Sequence, residues 1–309
     1  MKRVLITGIS GFIGQALAKR FAGTYEIHGV YESAASTVKN VGDRKYVVNL
    51  TNHAAIEQVI REVQPHVVIH LAAKSEVALS FDNYVQVSEV NYVGTVNLAE
   101  ANRKHNPNLE LFCMASTMET YGHHRRGNGP FTEDTPQYPM APYAVAKLAC
   151  EKYLGYMEYA YGFPSVILRQ TNAYGRTDNA FFIVERIVTQ MLTSEVCKLG
   201  DPEPYRNFLY IDDLVDIYAL MVAEPSKVSG QTFVTGPCNA ITIRELAGII
   251  REKLRWDGKI EWHTQPRRPG EIYYLESDAA KLKQYLGWEP RTSLSEGLDR
   301  TIEVWRPST

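Results

Sequence analysis

The fold of the first half of the chain follows from one segment, Thr7-Gly8-Ile9-Ser10-Gly11-Phe12-Ile13-Gly14. It comes directly after an apolar run and opens a stretch with apolar residues at three- and four-residue spacing. Glycines at such a strand-to-helix junction allow a tight turn, a close approach of the backbone to a diphosphate, and close packing of helix on strand. The helix N-terminus adds free N–H groups and a partial positive charge. The segment therefore predicts a dinucleotide-binding turn that uses Gly8, Gly11, Phe12, Ile13 and Gly14.

Strand-like and helix-like segments alternate around this turn. Short β-branched runs occur at residues 3–7, 26–31, 45–48, 67–71 and 109–115, and helical patterns occur at 12–21, 54–63 and 84–104. This alternation predicts a parallel sheet with helices on both faces. We therefore expect an α/β fold of the Rossmann type, a doubly wound parallel sheet with a smaller C-terminal substrate-binding lobe.

The pattern loosens after about residue 165. A strand-like run at 166–168 is followed by shorter segments that Pro and Gly separate, and helical patterns return at 243–254, 278–286 and 294–305. We predict a dinucleotide-binding domain at residues 1–165. Residues 166–309 are expected to form mainly the substrate-binding lobe, with some segments returning to the first domain.

Composition excludes several classes of protein. Hydrophobic residues make up 45% and charged residues 22% of the 309 residues, which is typical of a globular chain. The net charge of −2, without blocks of like charge, argues against a nucleic-acid partner. No charged and apolar leader precedes the first predicted strand, and no apolar run approaches the roughly 18 to 20 residues that cross a bilayer. We expect no membrane partner and a cytoplasmic location.

No metal site is predicted. Cys113, Cys150, Cys197 and Cys238 are widely spaced and lack histidine partners at metal-ligand spacing, so we interpret them as buried thiols. The basic run at residues 123–126 is interpreted as a solvated loop near the active site, since adjacent histidines project in different directions.

The predicted cofactor is NAD. The acid that binds the adenosine ribose is expected about 20 residues after the glycines, and Glu32 is the nearest candidate. A carboxylate there repels the 2′-phosphate of NADP, and no Arg or Lys follows Glu32 before Lys39. Tyr31 stands where an acid is also found in such folds, so NADP remains an alternative.

Tyr143 and Lys147 form a candidate catalytic pair. They lie at the start of a long helical pattern, and a spacing of four places both side chains on one helix face. An ammonium group near a phenol favours the phenolate, so we predict that Lys147 lowers the pKa of Tyr143 toward neutrality. The phenol would then act as a general base for an alcohol, which is typical of hydride-transfer chemistry.

With these features the chain resembles the extended short-chain dehydrogenase/reductase family, in its NAD-dependent epimerase/dehydratase branch. The resemblance runs nearly from end to end. The matching motifs are T-G-x-x-G-F-I-G at 7–14, H-L-A-A at 70–73, N-x-x-G-T-x-N at 91–97, S-T-x-E-x-Y-G at 116–122, P-Y-A-V-A-K at 142–147, R-x-x-N-x-Y-G at 169–175, R-x-F-x-Y-I-x-D at 206–213, R-P-G-E at 268–271 and L-G-W-x-P at 286–290.

The resemblance implies a nucleotide-diphosphate sugar as substrate and assigns residue roles. Thr117 would hydrogen-bond the reacting hydroxyl, Tyr143 would be the base, and Lys147 would hold the nicotinamide ribose. Asn172, Arg206 and Arg268 would bind the sugar diphosphate. Further cofactor contacts would come from Asn49, Leu50, Leu71, Ala72, Ala73, Lys74 and Asn91, where Asn49 replaces an Asp that contacts adenine in many relatives. The helical segments 84–104 and 143–162 would form a four-helix bundle in a homodimer.

Within the branch, the nearest resemblance is to GDP-mannose 4,6-dehydratases, whose S-T-S-E-L-Y-G and P-Y-A-V-A-K-L motifs are similar to residues 116–122 and 142–148. Glu119 occupies the position of their base. Dehydratases of thymidine-diphosphate sugars instead place an Asp between the Thr and the Glu, where this chain has Met118. A 4-epimerase and an NAD(P)H-dependent 4-keto-6-deoxysugar reductase are the alternatives. A non-enzymatic nucleotide-binding regulator is disfavoured, because Thr117, Tyr143 and Lys147 are all present.

Overall fold

The computed structural model describes residues 1–33, 42–124 and 129–306. Lys39 and the last two residues of the basic run, Arg125 and Arg126, lie outside the described residues. Within them, strands and helices alternate along the first half of the chain as the hydrophobic pattern predicts. The same region holds the glycine segment between its first strand and its first helix.

The strands are β1 (Arg3–Thr7), β2 (Glu26–Tyr31), β3 (Arg44–Val47), β4 (Val67–His70), β5 (Leu111–Thr117), β6 (Ser165–Gln170), β7 (Asn172–Tyr174), β8 (Val196–Lys198), β9 (Tyr205–Arg206), β10 (Phe208–Tyr210), β11 (Thr232–Val234), β12 (Ile241–Thr242), β13 (Lys259–Glu261) and β14 (Tyr274–Leu275). The helices are α1 (Phe12–Phe21), α2 (His53–Val63), α3 (Tyr84–Ser88), α4 (Gly94–His105), α5 (Pro142–Tyr161), α6 (Ile183–Thr193), α7 (Ile211–Ala223), α8 (Pro225–Val228), α9 (Ile243–Leu254), α10 (Ala280–Leu286) and α11 (Leu294–Trp305). Short 3₁₀ turns span Ala78–Phe81 and Met118–Tyr121, and a π turn at Glu89–Val93 joins α3 to α4.

The large sheet in the described part of the chain has seven strands in the order β3-β2-β1-β4-β5-β6-β11. All of its neighbouring strands pair in parallel. The strand order reverses between β1 and β4, and in doubly wound sheets the ligand crevice lies at that switch point, beyond the carboxyl ends of the strands. The prediction of a Rossmann-type α/β fold is confirmed.

Alternate residues of β1 feed two hydrophobic layers, one on each face of the sheet. Val4 and Ile6 pack in the layer that includes α1 and α7, whereas Leu5 packs in the layer that includes α2, α4 and α5. Because both faces are covered, the neighbouring strand β4 is buried along its whole length, as its apolar sequence predicts.

The second lobe has its own hydrophobic cluster, formed mainly by α6, α9 and α11. Helix α9 begins with a capping box in which Thr242 and Glu245 satisfy each other's backbone N–H groups. Small sheets surround this cluster: β9 pairs with β12 and β14, β8 with β13, and β7 with β10.

The predicted boundary at residue 165 falls on the first residue of β6. Both β6 and β11 pair within the large sheet, and α7 packs in the layer of α1, so segments after residue 165 contribute to the first unit. The assignment of the remainder as a substrate-binding lobe stays a prediction.

The cysteines differ from the expectation in one case. Cys113, Cys150 and Cys197 are buried, but Cys238 is exposed, so the prediction of a buried thiol is wrong there. Cys238 lies in the loop between β11 and β12, where its side chain is open to solvent. Among the described residues, we find no helix that combines the length and the apolar character needed to span a bilayer.

Candidate active site

A cleft of about 690 Å³ lies at the carboxyl ends of the central strands, between the glycine segment, the first turns of α5 and residues 170–185. Of the predicted site residues, it is lined by Gly8, Gly11, Phe12, Ile13, Gly14, Glu32, Asn49, Leu50, Leu71, Ala72, Ala73, Lys74, Thr117, Glu119, Tyr143, Lys147 and Asn172. Asn91, Arg206 and Arg268 are not among its lining residues. The structure therefore brings the predicted cofactor and catalytic residues together in one place.

The glycine segment leaves its backbone open to a diphosphate. Gly8 has a φ of +70°, and a Cβ there would lie 2.8 Å from the backbone nitrogen of Ala72, so only glycine fits this close approach of two loops. Gly11 caps α1 without a side-chain hydrogen bond. The first N–H groups of this ten-residue helix thus face the cleft without a side-chain acceptor. The arrangement fits the diphosphate of a dinucleotide.

The end of β2 carries the acid predicted for the adenosine ribose. Tyr31 is buried in the core, whereas the Glu32 side chain is 67% exposed at the cleft, so Glu32 and not Tyr31 is available to a ribose. The Lys74 ammonium lies 2.8 Å from Glu32 Oε1. Asn49 is exposed at the cleft and accepts a hydrogen bond from the Thr51 N–H at 3.0 Å.

Asn91 reaches the cleft through Lys74. Its side-chain oxygen accepts from the Lys74 N–H at 2.8 Å, and its amide donates to the Lys74 carbonyl at 3.1 Å. The π turn that carries Asn91 therefore fixes the backbone of the segment after β4. Asn91 thus holds the backbone of a loop that lines the cleft, a contact that the motif spacing did not show.

His70 links the glycine segment to α4 through two hydrogen bonds. Its ring nitrogens lie 2.7 Å from the Thr7 hydroxyl and 2.8 Å from the Thr95 hydroxyl. Burial lowers the pKa of His70 to about 3, and the nearby Lys147 charge acts in the same direction. A neutral imidazole therefore joins the glycine segment to α4.

Tyr143 and Lys147 both lie on the first turns of α5, which begins with Pro142 as its first residue. The Lys147 ammonium is buried and donates to the carbonyl of Ala115 at 2.8 Å, and it stands 6.0 Å from the centre of the Tyr143 ring. Burial raises the pKa of Tyr143, the Glu119 charge raises it further, and a hydrogen bond with Thr117 lowers it in part. The prediction that Lys147 lowers the pKa of Tyr143 is therefore wrong for the protein itself, because burial outweighs the distant ammonium.

Glu119 lies on the 3₁₀ turn after β5, half-buried at the cleft. Burial lowers the pKa of Arg206, and the charge of the Glu119 carboxylate opposes this lowering. The same carboxylate charge helps to raise the pKa of Arg268. Both guanidinium groups are hydrogen-bonded to Glu271, Arg206 at 3.4 Å and Arg268 at 2.6 and 3.0 Å. The buried Arg206 and the half-buried Arg268 thus form a cluster with Glu271 in the field of Glu119.

Arg176 is a lining residue that the sequence motifs did not indicate. Its guanidinium lies between two aromatic rings, 4.3 Å from the centre of Phe12 and 3.6 Å from that of Phe182. Glu185 accepts from the backbone N–H of Arg176 at 2.9 Å, and its other carboxylate oxygen is buried without a hydrogen-bond partner among the described residues. In the sequence, Arg176 directly follows the R-x-x-N-x-Y-G motif at 169–175, and this position could have marked it as a candidate. Its contact with Phe12 depends on the fold and could not be predicted.

This combination of a parallel sheet, an uncapped glycine-rich helix start and a Tyr–Lys pair in one cleft defines a dinucleotide-dependent enzyme of the Rossmann type. The family model described as GDP-mannose 4,6 dehydratase matches residues 5–301, so the chain belongs to this family of the extended short-chain dehydrogenase/reductase epimerases and dehydratases. The resemblance predicted from the motifs is confirmed.

Individual relatives extend over the whole chain. A UDP-glucose 4-epimerase of Mycolicibacterium smegmatis is 29% identical, covering 98% of both chains. A dTDP-glucose 4,6-dehydratase of Haemophilus influenzae is 26% identical, covering 98% of this chain and 97% of its own. The crystal structure of a Thermus thermophilus UDP-glucose 4-epimerase in complex with NAD superposes with a TM-score of 0.89 at 27% identity, covering 99% of this chain and 100% of that one.

The prediction of NAD is supported by two similar solved structures that are NAD complexes, the Thermus thermophilus UDP-glucose 4-epimerase and a Bacillus anthracis dTDP-glucose 4,6-dehydratase. The residues present fit it: the open α1 N-terminus suits the diphosphate, and the Glu32 carboxylate suits a ribose without a 2′-phosphate. The chain is therefore an NAD-dependent enzyme of the nucleotide-sugar epimerase/dehydratase family.

Proposed function

We propose that the chain is a nucleotide-sugar 4,6-dehydratase, a lyase that works through a 4-keto intermediate, with GDP-mannose as the leading substrate. The observation that carries this proposal is Glu119, a carboxylate in the cleft that is close enough to Tyr143 to raise the pKa of its phenol. A carboxylate next to the oxidising base is what removal of a second proton from the sugar requires. The proposal assigns catalysis to Thr117, Glu119, Tyr143 and Lys147.

The first step oxidises C4 of the sugar by removing the proton of the C4 hydroxyl and the hydride on C4. Thr117 hydrogen-bonds the C4 hydroxyl, Tyr143 takes its proton, and Lys147 binds the nicotinamide ribose. Bound NAD would supply the acceptor for the C4 hydride, the positive charge of its oxidised ring, and later the hydride for C6. That positive charge favours the phenolate and so opposes the effect of burial on Tyr143.

The second step eliminates water. The C4 carbonyl acidifies the hydrogen on C5, and Glu119 takes that proton. Glu119 passes that proton to the C6 hydroxyl, which leaves as water while the C5–C6 double bond forms. The hydride that NAD would hold then adds to C6, and C5 takes a proton that Glu119 relays from solvent. Tyr143 releases the C4 hydroxyl proton to solvent, and the product is the 4-keto-6-deoxy sugar.

The substrate assignment is supported by the charge beside Glu119. We propose that Asn172, at the cleft, and Arg206 and Arg268, in the cluster next to Glu119, bind the diphosphate, because guanidinium groups suit bidentate binding of phosphate. The choice of GDP-mannose is supported by the motifs around Glu119 and by the matching family model.

A 4-epimerase is the second candidate, and two observations favour it. One relative and one solved structure that cover nearly the whole chain are UDP-glucose 4-epimerases. Met118, next to Glu119, is buried among Tyr121 and Phe131 and cannot donate a proton to a leaving hydroxyl. In an epimerase, the 4-keto sugar would turn over and take the hydride back on its other face, without a role for Glu119.

Mass spectrometry separates these reactions. We expect the purified enzyme with catalytic NAD to convert GDP-mannose into a product lighter by one water. UDP-glucose and dTDP-glucose serve as parallel substrates, and the Tyr143→Phe variant is the inactive control. An isomer of unchanged mass would overturn the dehydratase in favour of the epimerase, and a reaction that needs added NAD(P)H would indicate a reductase.

We further propose a homodimer formed through α3, α4 and α5. Exposed apolar and aromatic side chains lie along these helices, among them Tyr84, Val85, Val145 and Tyr159, which is 94% exposed. Such a surface on neighbouring helices is typical of an interface between copies of one chain.

We also propose a cytoplasmic location, supported by the free buried thiols of Cys113, Cys150 and Cys197.

Analytical ultracentrifugation tests the dimer. We expect a mass twice that of the 34.9-kDa chain, and we expect Tyr159→Glu to shift the equilibrium toward the monomer because it buries a charge in the interface. Val304→Glu, at a 52% exposed position on α11, is the matched control and should leave the mass unchanged. A monomeric wild-type protein contradicts the proposal.

A further inference from the structure

A buried ion pair lies behind the turn that carries Thr117 and Glu119. Glu151 on α5 and Arg169 on β6 have side chains that are 3% and 8% exposed. Two nitrogens of Arg169, Nη2 and Nε, lie 2.9 and 3.1 Å from Glu151 Oε2. Neither residue is among those that line the cleft.

The pair holds both ends of the catalytic turn. At the first end, the Ser116 hydroxyl donates to Glu151 Oε1. At the other end, Arg169 Nη1 donates to the Tyr121 hydroxyl at 2.9 Å. Thr117 and Glu119 lie between these two attachment points.

Glu151 also belongs to the helix that carries the base. It follows Lys147 by four residues on α5, which places the two side chains on the same helix face. The Ser116–Glu151 bond and the Glu151–Arg169–Tyr121 chain of bonds therefore link the turn with Glu119 to the helix with Tyr143.

We propose that the Glu151–Arg169 pair is a positioning device that sets Thr117 and Glu119 against Tyr143. The inference rests on the proposed function, which gives these three residues their roles. A buried pair whose polar atoms are hydrogen-bonded fixes geometry strongly, since any shift leaves a charge without a partner in a medium of low dielectric constant. Small displacements matter here, because a misplacement of about 1 Å can lower a rate by about a hundredfold.

The structure offers a matched control on the other side of the pair. Gln137 donates to Glu151 Oε2 at 3.0 Å, from a loop whose residues do not line the cleft. Gln137 and Ser116 each donate one hydrogen bond to Glu151. If the ion pair only stabilised the fold, removing either bond would have a similar effect on activity. A positioning role predicts that only the attachments to the catalytic turn matter.

Ser116→Ala removes the bond to Glu151, and Tyr121→Phe removes the bonds of the Tyr121 hydroxyl with Arg169 and with the Thr132 carbonyl. Both variants keep the Glu151–Arg169 pair, whereas Glu151→Ala would leave the buried Arg169 without its carboxylate partner. With the nucleotide sugar that the wild-type enzyme converts, we expect each variant to lower kcat by about 10- to 100-fold. The affinity for NAD, measured by calorimetry, should stay unchanged. Hydrogen–deuterium exchange of the peptide that contains residues 116–121 should become faster in both variants, and Gln137→Ala should change neither kcat nor this exchange.

The proposal is overturned if Gln137→Ala costs as much activity as Ser116→Ala, or if Ser116→Ala and Tyr121→Phe leave the exchange of the turn unchanged. A failure of the proposed function has a different signature: the wild-type enzyme would then convert none of the nucleotide sugars. In that case the exchange comparison of the three variants decides the positioning role by itself.

Discussion

Replacing Tyr143 with phenylalanine is expected to lower kcat by about 10²- to 10⁴-fold, the usual contribution of a general base, while the affinity for NAD stays unchanged. The variant keeps the ring that packs at the start of α5 and removes only the hydroxyl near Thr117 and Glu119. No other phenol among the cleft-lining residues stands in the same place on α5. Steady-state kinetics and calorimetric titration with NAD measure the two quantities.

The pH dependence carries the same argument further. In the protein itself, burial and Glu119 raise the pKa of Tyr143, so its phenolate is scarce at neutral pH. If the phenolate is the base, kcat/KM rises with pH in the wild-type enzyme, and this rise disappears in Tyr143→Phe.

Tyr153→Phe is the matched control for this experiment. It removes a phenol hydroxyl from the same helix. Tyr153 is not a lining residue of the cleft, and its hydroxyl donates to Glu100 over 2.9 Å. Its kcat and pH profile should match the wild type. A Tyr143→Phe enzyme with full activity would rule out the phenol as the base.

Features that depend on neighbours along the chain could be predicted from the sequence. The glycine segment, the alternation of strands and helices, and the Tyr143–Lys147 spacing each follow from local geometry, and the structure places all of them at one cleft. The bounds of α9 and α11 agree with the helical patterns at 243–254 and 294–305 for the same reason.

Features that depend on contacts between distant segments could not be predicted. Asn91 supports Lys74 across seventeen positions, Arg206 meets Glu271 across sixty-five, and Arg176 meets Phe12 of the glycine segment. No spacing rule reports such contacts. The π turn inside the predicted helix 84–104 is equally invisible to a 3.6-residue period, although it is what turns Asn91 toward Lys74.

The pKa of Tyr143 shows why spacing alone misled. A lysine four residues away suggests an activating charge, but the distance that matters is that from the ammonium to the phenol, and Lys147 donates instead to Ala115. Burial, which the helical period does not report, has the larger effect. NAD bound beside Tyr143 would add the positive charge of its oxidised ring, which favours the phenolate.

Glu119→Gln is expected to lower the rate of dehydration by about 10²- to 10⁴-fold and to leave the first oxidation intact. Glutamine keeps the shape of the side chain but cannot take the C5 proton. Burial is the largest cause that raises the pKa of Tyr143, and the Glu119 charge is the next. Removing that charge should let the oxidation reach its full rate at lower pH than in the wild type.

Two measurements decide whether Glu119 is the C5 base. Stopped-flow absorbance should show NADH forming in Glu119→Gln and then persisting, because the keto sugar goes no further. In deuterated water the wild-type product should carry deuterium at C5, and sugar recovered from the variant should carry none. Deuterium at C5 in sugar from Glu119→Gln would assign the C5 base to another residue. If Glu119→Gln turns over at the wild-type rate and neither enzyme introduces deuterium, the result would support the epimerase, in which Glu119 moves no proton.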